Sequence, residues 1–122
     1  MSSTYYSGAR LTIVACDDFE GSLTHVIAIH HKNNDKDLAK GDRLIRVLAD
    51  TGRLRSPDQF RQETSGFWAI KSGKIRFYGW YEPDGVFVLS HTIFKAADKL
   101  AQADIDRMNV NQNKYRNREN KK

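Results

Sequence analysis

The sequence predicts an α+β fold: a small, antiparallel-rich sheet of about four strands, two helices in the N-terminal half and one at the C-terminus. Three observations predict it. Apolar residues between 22 and 51 recur every three to four positions, whereas those between 66 and 92 alternate. Turn signals at Ser72-Gly73 and at Glu82-Pro83-Asp84-Gly85 cut the alternating part into three strands. A chain of 122 residues, with no internal repeat and no linker-like stretch, fits one domain over 1–122.

Taken in order, residues 1–9 are small and polar and read as a frayed start, and 10–16 (RLTIVAC) is a short β-branched strand that Asp17-Asp18 ends. Leu23, Val26, Ile27 and His30 have helical spacing, with Ser22 as a cap. The same residues also fit an alternating strand, and helix is the reading taken here. Residues 33–37 form a polar break. Asp37 then caps a second helix to about Thr51, with Leu38, Gly41, Leu44, Ile45 and Leu48 as its apolar stripe and Gly52 as its stop. Arg43, Arg46 and Arg53 lie off that stripe and read as solvated surface.

Residues 53–65 read as a loop with a short turn around 58–61. Strands follow at 66–71, 74–81 and 86–92. In the middle one, Ile75, Phe77, Gly79 and Tyr81 share one face and Arg76, Tyr78 and Trp80 the other. A last helix starts near 96–97, with Ala97, Ala101, Ile105 and Met108 as a narrow stripe that would cover the sheet. Beyond Asn109 the chain is rich in Asn, Gln, Lys and Arg, and either extends the helix or frays.

The net charge of +5 is unevenly spread. Residues 40–76 hold nine Lys/Arg against four Asp/Glu, and 109–122 hold five against one. Positive charge so placed points to an anionic partner, nucleic acid first, although basic tails are often merely solvated. No apolar run approaches the ~20 residues of a membrane span, and the start lacks the pattern of a secretory signal. The single Cys16 forms no internal disulfide, reads as a small buried hydrophobe at a strand end, and fits a reducing cytoplasm.

Several chemistries lack their signatures. There is no Walker-type loop, no dinucleotide fingerprint, no Cys-based zinc site and no G-x-S-x-G elbow. Adjacent His30 and His31 point apart and make a poor metal pair. No cofactor or metal is expected. What remains is a set of cations. RNA is cut without a metal when its own 2′-OH attacks the neighbouring phosphorus; the site then supplies a base, cations for the phosphorane and a proton donor for the leaving oxygen. Arg76 is the leading candidate, because a charge among apolar strand neighbours is costly without a role or a partner. Pairing with Glu63, Glu82 or the tail of the same fold accounts for it equally well. Lys71 and Lys74 flank the Ser-Gly turn, where lysines are often only solvated. Lys95 projects from the last strand and Lys99 follows one helical turn on. Tyr78, Trp80 and Trp68 could stack on bases, though aromatics so spaced are usually core. His91 alternates with apolar residues and reads more readily as a satisfied core or edge histidine.

These residues resemble those of the RelE/ParE superfamily of toxin–antitoxin toxins, and best its HigB-like, phage-derived branch. The likeness runs from about residue 38 to 116. It rests on Leu48 to Gly52 (L-x-x-x-G), the Pro- and Arg-containing stretch Ser56 to Arg61, the GFWAIKSGKIRFY motif at 66–78, and Leu89 to Lys99 (L-x-H-x-[FI]-x-K-x-x-x-K) followed by Asp104-Ile105-Asp106. Family members often continue with a second lysine and a Thr/Ser-Pro where this chain has Ala96-Ala97-Asp98. The resemblance implies a ribosome-dependent, metal-free mRNA endoribonuclease neutralised by a helix-turn-helix antitoxin. Its partners would be the ribosome and mRNA and no membrane. Arg76, Lys71, Lys74 and Lys95 would be catalytic, and Lys99, Tyr78, His91 and Arg116 would contact RNA. A gyrase-directed, ParE-like inhibitor and a non-catalytic RNA- or protein-binding domain are the alternatives.

Overall fold

The computed structural model describes residues 3–56, 58–64, 66–94 and 102–120, excluding the side chains of 30–34 and 119–120. It is α+β, with strands β1 (Ser3–Ser7), β2 (Thr12–Ala15), β3 (Phe60–Thr64), β4 (Phe67–Ser72), β5 (Ile75–Glu82) and β6 (Val86–Phe94). The helical runs are α1 (Asp17–Thr51) and α2 (Gln102–Asn120). One mixed sheet has the order β1-β2-β6-β5-β4-β3. Only the β2–β6 pair is parallel among these neighbours.

Six strands replace the expected four. The N-terminal segment expected to fray is β1, held by pairing with β2 and by Tyr5, whose ring meets Phe19 edge-on and whose hydroxyl donates to Asp42. The expected loop at 53–65 contains β3, which pairs with β4 and stacks Phe60 on Trp68 at 4.6 Å. Both additions are edge strands with little apolar alternation of their own. Their partners define them.

The expected polar break at 33–37 is also corrected, because the backbone is helical from Asp17 to Thr51. Asp37 therefore lies inside the helical run and caps nothing. The run is not straight, however. At ~1.5 Å per residue Phe19 and Asp42 would be about 35 Å apart, yet both meet Tyr5. Ser22 Oγ accepts from the Thr92 amide on the outward limb, and the Asp37 carbonyl accepts from Ser72 Oγ on the return. The reversal thus lies between these contacts, and two helical limbs cover one face of the sheet. Gly41 allows the close approach of the second limb, since a Cβ there would collide with the Phe77 ring. Leu44, Ile45 and Leu48 fill the core as their stripe predicted, and Gly52, at φ 88°, closes the helix with its amide on Leu48 O.

The other face is covered by α2, which carries few apolar residues. Met108 is fully buried, and the ring of Tyr115 meets Trp80 edge-on at 6.2 Å. The basic tail does not fray before residue 120. The start of this helix as expected, at 96–97 with Ala97 and Ala101 of its stripe, lies outside the described residues.

Candidate RNA-cleaving cleft

The turn between β4 and β5 holds the site together. Its register sets Lys71 directly opposite Arg76, with both side chains on one face. Gly73 occupies the left-handed region at φ 58°, which favours glycine, and a Cβ there would strike the Asp37 carboxylate. The Gly73 carbonyl accepts from Arg76 Nη1 at 2.6 Å, and the Ile75 carbonyl from the same nitrogen at 3.2 Å. Only 6% of Arg76 is exposed, so the turn fixes the direction of a mostly buried guanidinium.

Around that guanidinium is a polar cleft of about 500 Å³. Among the described residues, four cations from four elements line it: Lys40 of α1, Arg61 of β3, Lys71 of β4 and Arg76 of β5. Ser56, Asp58 and Gln59 close it. Backbone hydrogen bonds tie their neighbourhood to β4. The amides of Gln59 and Phe60 donate to Ser56 O at 3.0 and 2.9 Å, and the Lys71 amide donates to Gln59 O at 2.8 Å. Lys71 Nζ also lies 3.7 Å from Glu63. Such a concentration of fixed donors suits a phosphate group.

The expected site residues divide sharply. Arg76 and Lys71 come together in the cleft. Lys74 is exposed at the turn and is not among the lining residues. Lys95 and Lys99 lie outside the described residues. The expected RNA contacts of Tyr78 and His91 require correction, because both side chains are wholly buried. Tyr78 packs on His91 with ring centroids 5.1 Å apart, so neither offers a face to a base. Arg116 sits at the other end of β5, paired with Glu82 at 2.8 Å. Lys40 and Asp58 carried no individual signal in the sequence; only the tertiary fold brings them to Arg76. Arg61, like Asp58, lies within the Pro- and Arg-containing stretch at 56–61.

A second polar cluster lies beneath α2. The register shift between Tyr78 and Gly79 leaves Ser90 between His91 and Leu89 as the extra residue. Its carbonyl accepts from Cys16 Sγ at 3.0 Å, and its hydroxyl accepts from Asn111 Nδ2 at 2.9 Å. His91 Nε2 donates to Asp104 at 3.0 Å, which leaves Nδ1 to accept from Ser90 Oγ at 2.9 Å. Burial pushes the imidazole pKa down despite the Asp104 hydrogen bond, and burial pushes the Cys16 thiol up. Burial also raises the Asp18 carboxyl, but hydrogen bonds from Arg107 and Asn111 outweigh it and hold the group below its ordinary range. A Ser–His–Asp line invites a catalytic reading. With Ser90 and His91 at 0% exposure and both ring nitrogens engaged, it instead fastens α2 to the sheet.

Among the described residues, no group of three or more His, Cys, Asp or Glu is placed to share a metal ion. No helix there is long and apolar enough to cross a membrane. Neither a scan of protein-family models nor a search of curated proteins gives a match to this chain.

Proposed function

We propose that this chain is a RelE-like toxin of a type II toxin–antitoxin system, a ribosome-dependent endoribonuclease that cuts mRNA by attack of the RNA's own 2′-OH. The observation that carries this reading is the convergence of Lys40, Arg61, Lys71 and Arg76 on one concave polar cleft. Arg76, rigidly aimed by Gly73, would hold the phosphate and stabilise the phosphorane. Lys71 would protonate the leaving 5′-oxygen, and Lys40 and Arg61 would bind flanking phosphates. The resemblance over residues 38–116 supports the same reading and supplies the rest: a helix-turn-helix antitoxin, action in the cytoplasm and no resident cofactor.

Expression of this chain alone should arrest growth, and mapping of mRNA 5′ ends after induction should reveal new ends within translated codons. Arg76→Ala should abolish both while leaving the far-ultraviolet circular dichroism unchanged. Intact mRNA in arrested cells that mount a DNA-damage response would select the gyrase-directed alternative. Normal growth with folded, soluble protein would sink the toxin reading altogether.

A further inference from the structure

We propose that Asp58 is the general base of the cleft, the group that takes the 2′-OH proton; the proposal rests on the endoribonuclease reading above. Three observations converge on it. Asp58 is the only carboxylate among the described cleft-lining residues, and the lysines and arginines beside it offer hydrogen-bond donors and no acceptor. The residue that follows it, Gln59, is bonded through its amide to Ser56 O and through its carbonyl to the Lys71 amide of β4, so the backbone beside the carboxylate is tied to the sheet. Among the described residues it makes no hydrogen bond or ion pair, although four cations line the same cleft. Glu63, by contrast, is engaged with Lys71. An exposed, unengaged carboxylate in such a cleft is available to accept a proton.

The step balances without a co-reactant. Asp58 removes the 2′ proton as O2′ bonds to phosphorus. The P–O5′ bond breaks with its electron pair going to O5′, which takes a proton from the Lys71 ammonium. The products are a 2′,3′-cyclic phosphate and a 5′-hydroxyl. Solvent then restores both side chains. Arg76 meets the negative charge that gathers on the phosphoryl oxygens.

The test uses the full chain and ribosomes programmed with a short mRNA, under single-turnover conditions. Asp58→Asn should slow cleavage by about 100-fold or more. Its affinity for the same mRNA with a 2′-deoxy nucleotide at the scissile position should be unchanged or tighter, because a negative charge near the phosphate has gone. Asp58→Glu should recover part of the rate. A substrate with sulfur in place of O5′ separates the two proton transfers, since a thiolate leaves without a proton: it should rescue Lys71→Ala and fail to rescue Asp58→Asn. Asp58→Asn cleaving within threefold of the wild type, or rescued by the sulfur leaving group, would overturn the assignment. If the wild-type chain leaves the natural mRNA uncut while remaining folded, the endoribonuclease reading falls and the base with it.

Discussion

The two ends of β5 solve the same electrostatic problem in opposite ways. At one end Glu82 faces Arg116, which grips both carboxylate oxygens at 2.8 to 3.2 Å. At the other, six residues and about 20 Å away, Lys71 stands directly opposite Arg76, and Lys40 and Arg61 share the adjoining cleft. Like charges opposed across a sheet destabilise it. Glu63 approaches Lys71 to 3.7 Å. One end pairs opposite charges, and the other gathers like charges around a concave cleft, an arrangement that suits an anion. Local conflict of this kind collects at functional sites.

The sharpest way to break that comparison is to disturb the aim of Arg76 without touching its charge. Gly73→Ala puts a side chain where φ is 58° and against Asp37. It should lower cleavage about 100-fold, as a misplacement of roughly an ångström does, at a cost of about 1–2 kcal/mol in stability. Adding Asp37→Gly removes the collision but not the backbone strain, so it should restore part of the activity. Full activity in Gly73→Ala alone would show that the turn does not position Arg76.

The sequence made one end of β5 legible and hid the other's company. Alternation and two turn signals located β4, β5 and β6 to within a residue or two, because buried strands must repeat every second position. They also brought Lys71 and Arg76 together across a hairpin. Edge strands escape that logic. β1 and β3 have little core face of their own, and pairing rather than pattern defines them. The polar residues at 33–37 signal a break, and the chain does reverse between Ser22 and Asp37, but the backbone stays helical through it, which polarity alone does not reveal. Lys40 and Asp58 were invisible as site residues, since nothing local distinguishes them from solvated charges. His91 and Tyr78 show the converse: polar or aromatic identity suggested a site, whereas their depth assigns them to the core.

Neutralising the periphery of the cleft should sharpen the contrast more gently. Lys40→Gln and Arg61→Gln should each weaken mRNA binding and lower the magnitude of its logarithmic salt dependence by about one. Each should also raise the melting temperature at low ionic strength, and the gain should shrink as salt is added, because screening already relieves the repulsion it removes. A fall in melting temperature would mean that the cations are stabilised by partners rather than held in surplus.

The network under α2 gives a pH signature of its own. Burial holds the His91 pKa below its ordinary value, so the unfolded chain binds more protons than the folded chain as pH falls. That stability is fully present above about pH 6.5 and is lost as pH drops through the folded value. The lowered Asp18 carboxyl adds a second loss in more acid solution, below about pH 4. Melting temperatures measured from pH 8 to pH 5 should therefore decline in the wild type and stay flatter in His91→Gln, even if the variant starts lower. Parallel slopes would remove His91 as the group responsible.

The smallest effect should come from the compensated end. Arg116 is half exposed, and burial costs it little beside the gain from Glu82, which raises its pKa. Solvent screens the half-exposed Arg116, while the Glu82 side chain is only 11% exposed, so Arg116→Ala should cost about 1 kcal/mol. Cleavage should be unchanged, because the side chain lies some 20 Å of strand from Arg76 and is already engaged. A clear loss of mRNA affinity in Arg116→Ala would mean that RNA competes with Glu82 for this guanidinium. The two ends of β5 would then belong to one binding track.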